Sequence, residues 1–227
     1  MNIQQCFNAL NFFINKATGA WLTVSELEAL LDNGQMSYYS DLQPKYGTSQ
    51  RIKDVLAPFR ATYAFATADT ASGVVTVPTA SNYLDLLDLY ITYTISGRNT
   101  TYVPVAMVNE DERANRLNSQ IDPVTVTSPI GEITGKGIIQ LWPQTTYTGK
   151  VTFFRRPLAP VFGYSVVSGR VIVYNAGTST QLEWPETSHN AIIIKALATI
   201  GINLSDDEIS QYAQIASTNN FNGVNRV

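Results

Sequence analysis

The sequence predicts an α+β fold, with a helical base formed by N- and C-terminal helices and a central antiparallel β-rich insert. Two observations carry this. Apolar residues recur at helical spacing up to residue 59 and again from residue 182, whereas the text between them alternates with the period of strands. Helix-start signals flank the helical stretches: Thr23 with Glu26, and Ser205 with Glu208, each have the spacing of a capping box. The order divides the chain into an N-terminal helical segment (1–59), a β-rich region (60–181), a C-terminal helical pair (182–217) and a polar tail (218–227).

The elements follow in order. Ile3, Phe7, Leu10 and Ile14 make a first helical stripe that Gly19 ends. Thr23 and Glu26 open a second helix, with Leu22 and Leu27 as its hydrophobic staple; it spans Val24 to Asp32 and Gly34 stops it. Met36 to Leu42 continues as a short helix before Pro44, and Ser49 to Ala57 forms another, closed by Pro58. Tyr63 and Phe65, then Val74, Val75 and Val77, predict a hairpin around Ala71-Ser72-Gly73. Leu87 to Ser96 and Thr101 to Val108 read as strands, and Glu110 to Leu117 as a short charged helix. Lys136 to Trp142 and Tyr147 to Arg155 predict a second hairpin around Pro143-Gln144, and Arg170 to Tyr174 a further strand.

The C-terminal pair, Leu182 to Gln214, is the most specific stretch. Pro185 suits the first turn of a helix. Ile193, Ala196, Leu197 and Ile200 form its stripe, and Gly201 supplies the left-handed stop. Ser205 and Glu208, with Leu204 and Ile209 as staple, start the second helix, whose stripe is Ile209, Tyr212, Ala213 and Ala216.

Composition narrows the function classes. Charged residues are 15% of the chain, against about 25% in a typical globular protein, so the surface has little long-range electrostatic character. The net charge of −3 disfavours tight binding to duplex DNA, which draws on Lys and Arg to release counterions. One Cys and one His cannot complete a structural zinc site within a single chain. No basic leader or long apolar run stands out, so a soluble protein of a reducing cytoplasm, without a membrane span, is expected.

Candidate chemistry is sparse. His189 opens a helix, and pairing with Cys6 is conceivable, but Cys6 sits beside an apolar stripe where a thiol behaves as a small hydrophobe. Glu110, Asp111 and Glu112 are better read as an acidic first turn that complements the helix dipole than as a catalytic pair. No catalytic, metal-binding or cofactor-binding residue is therefore expected. The aromatic residues near turns, Tyr38, Tyr39, Trp142, Phe162 and Tyr164, are interface candidates, as are Arg155 and Arg156 before Pro157. In the tail, Phe221, Val224 and Val227 are spaced apolar anchors among asparagines, suited to lying along a neighbour.

Three runs carry a resemblance: LLDNGQMSYYSDLQPKYGTSQRIKDVLAPF (Leu30–Phe59), VTFFRRPLAPVFGYSVVSGRVIVYNAGTSTQLEWPE (Val151–Glu186) and the C-terminal pair, LEWPETSHNAIIIKALATIGINLSDDEISQYAQ (Leu182–Gln214). Together they cover under half of the chain, and none is a catalytic signature. They resemble the ring-forming head-to-tail connector proteins of short-tailed bacteriophages of the crAss-like group. The resemblance implies a virion structural protein at the head–tail junction, assembled in the host cytoplasm, with no enzymatic activity and no cofactor. Its partners would be copies of itself in a ring, by resemblance twelve-fold, together with the portal protein and adjacent connector or tail proteins. DNA would pass through the channel without sequence-specific binding. The alternative, drawn from the aromatic, Thr-rich middle, is a carbohydrate- or host-surface-binding phage module.

Overall fold

The computed structural model describes residues 1–19, 21–67, 70–93, 101–167 and 171–202. The fold is α+β, with five α-helices, antiparallel and mixed sheets, and short 3-10 turns among those residues. The chain divides into two compact units: Met1–Pro58 with Pro157–Val227, and Phe59–Arg156.

The first unit is built on helices. α1 (Ile3–Thr18) buries Ile3, Cys6, Phe7, Leu10, Phe13 and Ile14, so the expected stripe is its inner face. Asn2 caps it in a reciprocal box with Gln5, and Gly19 closes it at φ 70°, the left-handed conformation that glycine adopts without steric cost. α2 (Val24–Leu42) starts at the expected Thr23–Glu26 box. It does not stop at Gly34, however, but runs on through the segment expected to be a separate helix. The reason lies in α5 (His189–Thr199): a Cβ on Gly34 would come within 2.7 Å of Ile192 O and 2.8 Å of the Ala196 Cβ. Gly34 therefore lets two helix backbones approach closely and ends neither. Leu27, Leu30 and Leu31 of α2 are buried, as are Ile192, Ile193, Ala196 and Leu197 of α5. α3 (Gln50–Leu56) buries Leu56.

α5 begins later than Pro185, which precedes a 3-10 turn at Glu186–Ser188 in an extended conformation (ψ 143°). Gly201 has the expected left-handed φ of 81°. The second helix expected from Ser205, its cap with Glu208, and the tail with Phe221, Val224 and Val227 lie outside the described residues.

The second unit contains two four-stranded sheets. Its strands are β1 (Arg60–Phe65), β2 (Val74–Thr76), β3 (Tyr83–Tyr93), β4 (Thr101–Pro104), β5 (Ala106–Met107), β6 (Ile130–Gly135), β7 (Ile138–Trp142) and β8 (Gly149–Arg155). They pair in the orders β1-β8-β3-β4 and β2-β7-β6-β5, antiparallel except for the parallel β5–β6 pair. Neither expected hairpin forms. β1 pairs with β8 and β2 with β7, and β7 and β8 belong to different sheets. The turn residues were read correctly as punctuation, but in both places the chain passes from one sheet to the other. One core joins them, with Phe65, Leu89, Ile91, Val151 and Phe153 from the first sheet and Val75, Ile139 and Leu141 from the second. α4 (Glu110–Leu117) has the expected bounds and carries an additional box between Asn109 and Glu112.

The β-rich unit closes at Arg156 rather than at residue 181. The next strands, β9 (Tyr164–Val167) and β10 (Val171–Tyr174), form a separate two-stranded ribbon that belongs to the helical unit. Its base is fixed there: Phe162 stacks on Phe7 of α1 at 4.6 Å, and the Phe162 N–H donates to Glu28 of α2 at 2.7 Å.

Candidate functional site

The expected interface residues divide by burial. Tyr39 is 3% exposed and belongs to the interior of the helical unit. Tyr38 is half-buried, tilted against Trp184 at 5.1 Å, with its hydroxyl 3.5 Å from Ser188 Oγ. These two tyrosines support packing within the unit, since α2 turns them toward the segment that leads into α5. Phe162 is likewise engaged, between Phe7 and Tyr174 (5.3 Å). Trp142 lies under the Arg113 guanidinium, 5.3 Å from its carbon to the ring centroid, and the same arginine pairs with Glu132. Arg155 is half-buried, 5.8 Å over the ring of Phe59. Arg156 and Tyr164 alone of the described candidates are exposed to solvent.

The groups weighed for chemistry occupy structural positions. Cys6 is fully buried, and burial pushes its thiol up to about 11, so it stays protonated near neutrality. His189 heads α5 and is buried; its Nε2 donates to Trp184 O at 3.1 Å. Burial lowers its pKa, with the Trp184 hydrogen bond opposing. The carboxylate run sits in the first turn of α4, where the N-cap Asn109 side chain accepts from the Glu112 N–H, the Glu112 carboxylate accepts from the Asn109 N–H, and Glu110 pairs with Arg113. Among the described residues no group of three or more His, Cys, Asp or Glu could hold a metal ion. No helix among them is long and apolar enough to cross a membrane.

The features that face outward are of another kind. On α1, Asn8, Asn11 and Asn15 follow at helical spacing and share one face. With Phe12, Lys16 and Trp21 they line an open cleft of about 440 Å³. Trp21 is 74% exposed and Phe12 is 45% exposed, so two large aromatic side chains meet solvent beside the exposed Asn8 and the half-buried Asn11 and Asn15, the side-chain oxygen of Asn11 being buried without a hydrogen-bond partner. The second outward feature of this unit is the β9–β10 ribbon. Tyr164 and Val166 (55% exposed) project from one of its faces and Val173 from the other. The tyrosine belonged to the expected interface set, but the asparagine row did not. Its signal, Asn at i, i+3 and i+7, is present in NALNFFIN, where polar positions on an amphipathic helix read as an ordinary solvated face.

Compared with models of known protein families and with curated protein sequences, the chain matches none of them.

Proposed function

We propose that this chain is a structural subunit of the head-to-tail connector of a short-tailed phage. Copies of it would form a ring around the DNA channel, with the portal on one side and the next connector or tail protein on the other. The observation that carries the reading is the threefold sequence resemblance and where it falls. Two of its runs hold α2 from Leu30 onward and all of α5, the helices that approach closely at Gly34 and Ala196, and the third holds β8 from Val151 and the ribbon strands. The low charge adds support, because a surface with few charges suits a protein largely covered by neighbours. The mechanism is geometric: unlike surfaces repeated about an axis close a ring. No step of it requires a catalytic group.

Sedimentation velocity of the full chain, alone and with the portal protein of the same phage, tests this. The expected result is co-sedimentation with portal in a complex of fixed stoichiometry. A chain that ignores portal, and is instead retained on a polysaccharide resin, would establish the carbohydrate-binding alternative.

A further inference from the structure

The edges of the two four-stranded sheets are not alike. In the order β1-β8-β3-β4 the outer strands are β1 and β4, and in β2-β7-β6-β5 they are β2 and β5. β2 has three residues, β5 has two, and β4 has four, the last of them Pro104. Short strands and proline are common means of blunting an edge. β1 has neither. It is six residues long, carries one charge at its first position, and keeps register with β8 without a bulge from Arg60↔Phe154 to Phe65↔Gly149.

The direction of its free groups follows from β8. In an antiparallel ladder successive residues turn their N–H and C=O to opposite sides. The Thr92 N–H donates to Thr148 O, and the Arg156 N–H donates to Asn82 O. Both bonds lie on the β3 side, so even-numbered residues along β8 face β3 and odd-numbered ones face β1. The β1 residues opposite Gly149, Val151 and Phe153 are Phe65, Tyr63 and Ala61, and these bond inward. Arg60, Thr62 and Ala64 turn their main-chain groups to the open side. All three are exposed, and among the described residues the main chain of β1 bonds only to β8. Thr62 and Ala64 therefore offer two donor–acceptor sets about 7 Å apart, the repeat of alternate residues in another extended chain. Toward the core, Ala61 and Tyr63 pack on the apolar cluster yet stay half-buried.

We propose that β1 is a strand-addition site whose occupant is an extended segment of a protein unlike this chain. That segment is uncharged, free of proline in its middle, and apolar at every second residue. Main-chain bonds to Thr62 and Ala64 supply the affinity, and apolar side chains that cover Ala61 and Tyr63 supply the selectivity. The inference rests on the connector reading above, in which the portal provides the segment. The same reading turns the edge away from a second copy. Pairing β1 with the β1 of another copy is a two-fold contact, in which a surface meets itself, whereas a ring closes through unlike surfaces. The other edges of the insert are too short, or stopped by proline, to match six residues.

Hydrogen exchange of the full chain, free and mixed with the portal protein of the same phage, tests this residue by residue. In the free chain the amides of Thr62 and Ala64 should exchange fast and those of Ala61 and Tyr63 slowly, because only the latter pair with β8. Portal should slow Thr62 and Ala64 by roughly tenfold or more and leave Ala61 and Tyr63 as they were. Thr62→Pro removes an outward donor and no bond to β8, and Ala61 before it is already extended. This variant should keep the parent's circular dichroism melt and bind portal roughly tenfold more weakly. Should it unfold, Ala64→Lys replaces it, placing a guarding charge at an exposed edge position. Thr62 and Ala64 amides that stay fast in a complex that forms, or full affinity in a folded variant, overturn the inference and leave the connector reading standing. Protection of these amides that grows with the concentration of the chain alone assigns the edge to a second copy and overturns it as well. A chain that ignores portal defeats the connector reading, and the proposed occupant with it.

Discussion

Trp184 donates its indole N–H to the side-chain oxygen of Gln35 at 3.2 Å, in the interior of the helical unit. The amide nitrogen of the same Gln35 donates to Asp32 (2.7 Å) and to the carbonyl of Leu158 (3.0 Å). One fully buried glutamine thus ties α2 to both ends of the Leu158–Trp184 segment. Replacing it by alanine leaves the indole N–H and the Leu158 carbonyl without this partner and opens a cavity. We predict that Gln35→Ala costs about 2–4 kcal/mol, measured by urea denaturation. A change below about 0.5 kcal/mol would mean that water replaces the side chain there without loss.

Gly34 offers a test of sign. Intrinsic propensity alone predicts that alanine in the middle of a helix stabilises, by up to about 1 kcal/mol. The approach of Ile192 O and Ala196 predicts the opposite, because the new methyl group has no room. Gly34→Ala is expected to destabilise by about 1–3 kcal/mol. A raised melting temperature would show that α2 and α5 separate easily.

Arg113 and Trp142 give a prediction for the β-rich unit. The guanidinium lies over the indole and pairs with Glu132, both partly shielded from water. Arg113→Ala should destabilise by about 1–2 kcal/mol, and a double-mutant cycle with Trp142→Leu should return a coupling of roughly 0.5–1 kcal/mol. Additive effects of the two substitutions would deny the cation–π contact.

His189 sets a pH dependence. Burial depresses its pKa in the folded chain below the ordinary value of 6.5, so below that value the unfolded chain binds the proton more readily. Its contribution is fully present above pH 6.5 and is lost as pH falls from there through the depressed folded value. His189→Gln should flatten this part of the stability curve, while carboxylate effects at lower pH persist. Identical pH profiles for parent and variant would assign the acid sensitivity elsewhere.

What the sequence made legible was local. The Thr23–Glu26 box, the α1 stripe, the bounds of α4 and the left-handed Gly201 depend on residues within a turn or two of each other, so spacing suffices to find them. Strand pairing depends on residues far apart. Nothing near Pro143 states that β7 joins β2 while β8 joins β1, and two runs with hairpin spacing part into different sheets. Gly34 was ambiguous by nature, since glycine serves both as a helix stop and as a contact point, and only the position of α5 decides. The β-rich text from 157 to 181 looked like more of the insert because period reports strand character and not allegiance to a core. Tyr164, singled out as an aromatic near a turn, is exposed, but it lies on β9 rather than in a turn. The asparagine row was passed over because polar positions on an amphipathic helix look like an ordinary solvated face, although Asn11 and Asn15 are half-buried.

The β-rich unit begins on β1 and ends on β8, and these neighbours are in register, Arg60 opposite Phe154. The chain therefore enters and leaves that unit at one place, with Pro58 and Pro157 at its boundaries. This bears on the order of folding. For the helical residues on either side, the whole insert is one long loop, and closing a long loop carries an entropic cost that grows slowly with its length. An insert that folds first meets that cost from its own core and hands the flanking residues a short, stiff bridge. The helical unit is then contiguous in space although divided in sequence. By the same reasoning the Phe59–Arg156 stretch is a cassette that can form its own core, with β1 paired to β8, before the flanking residues meet.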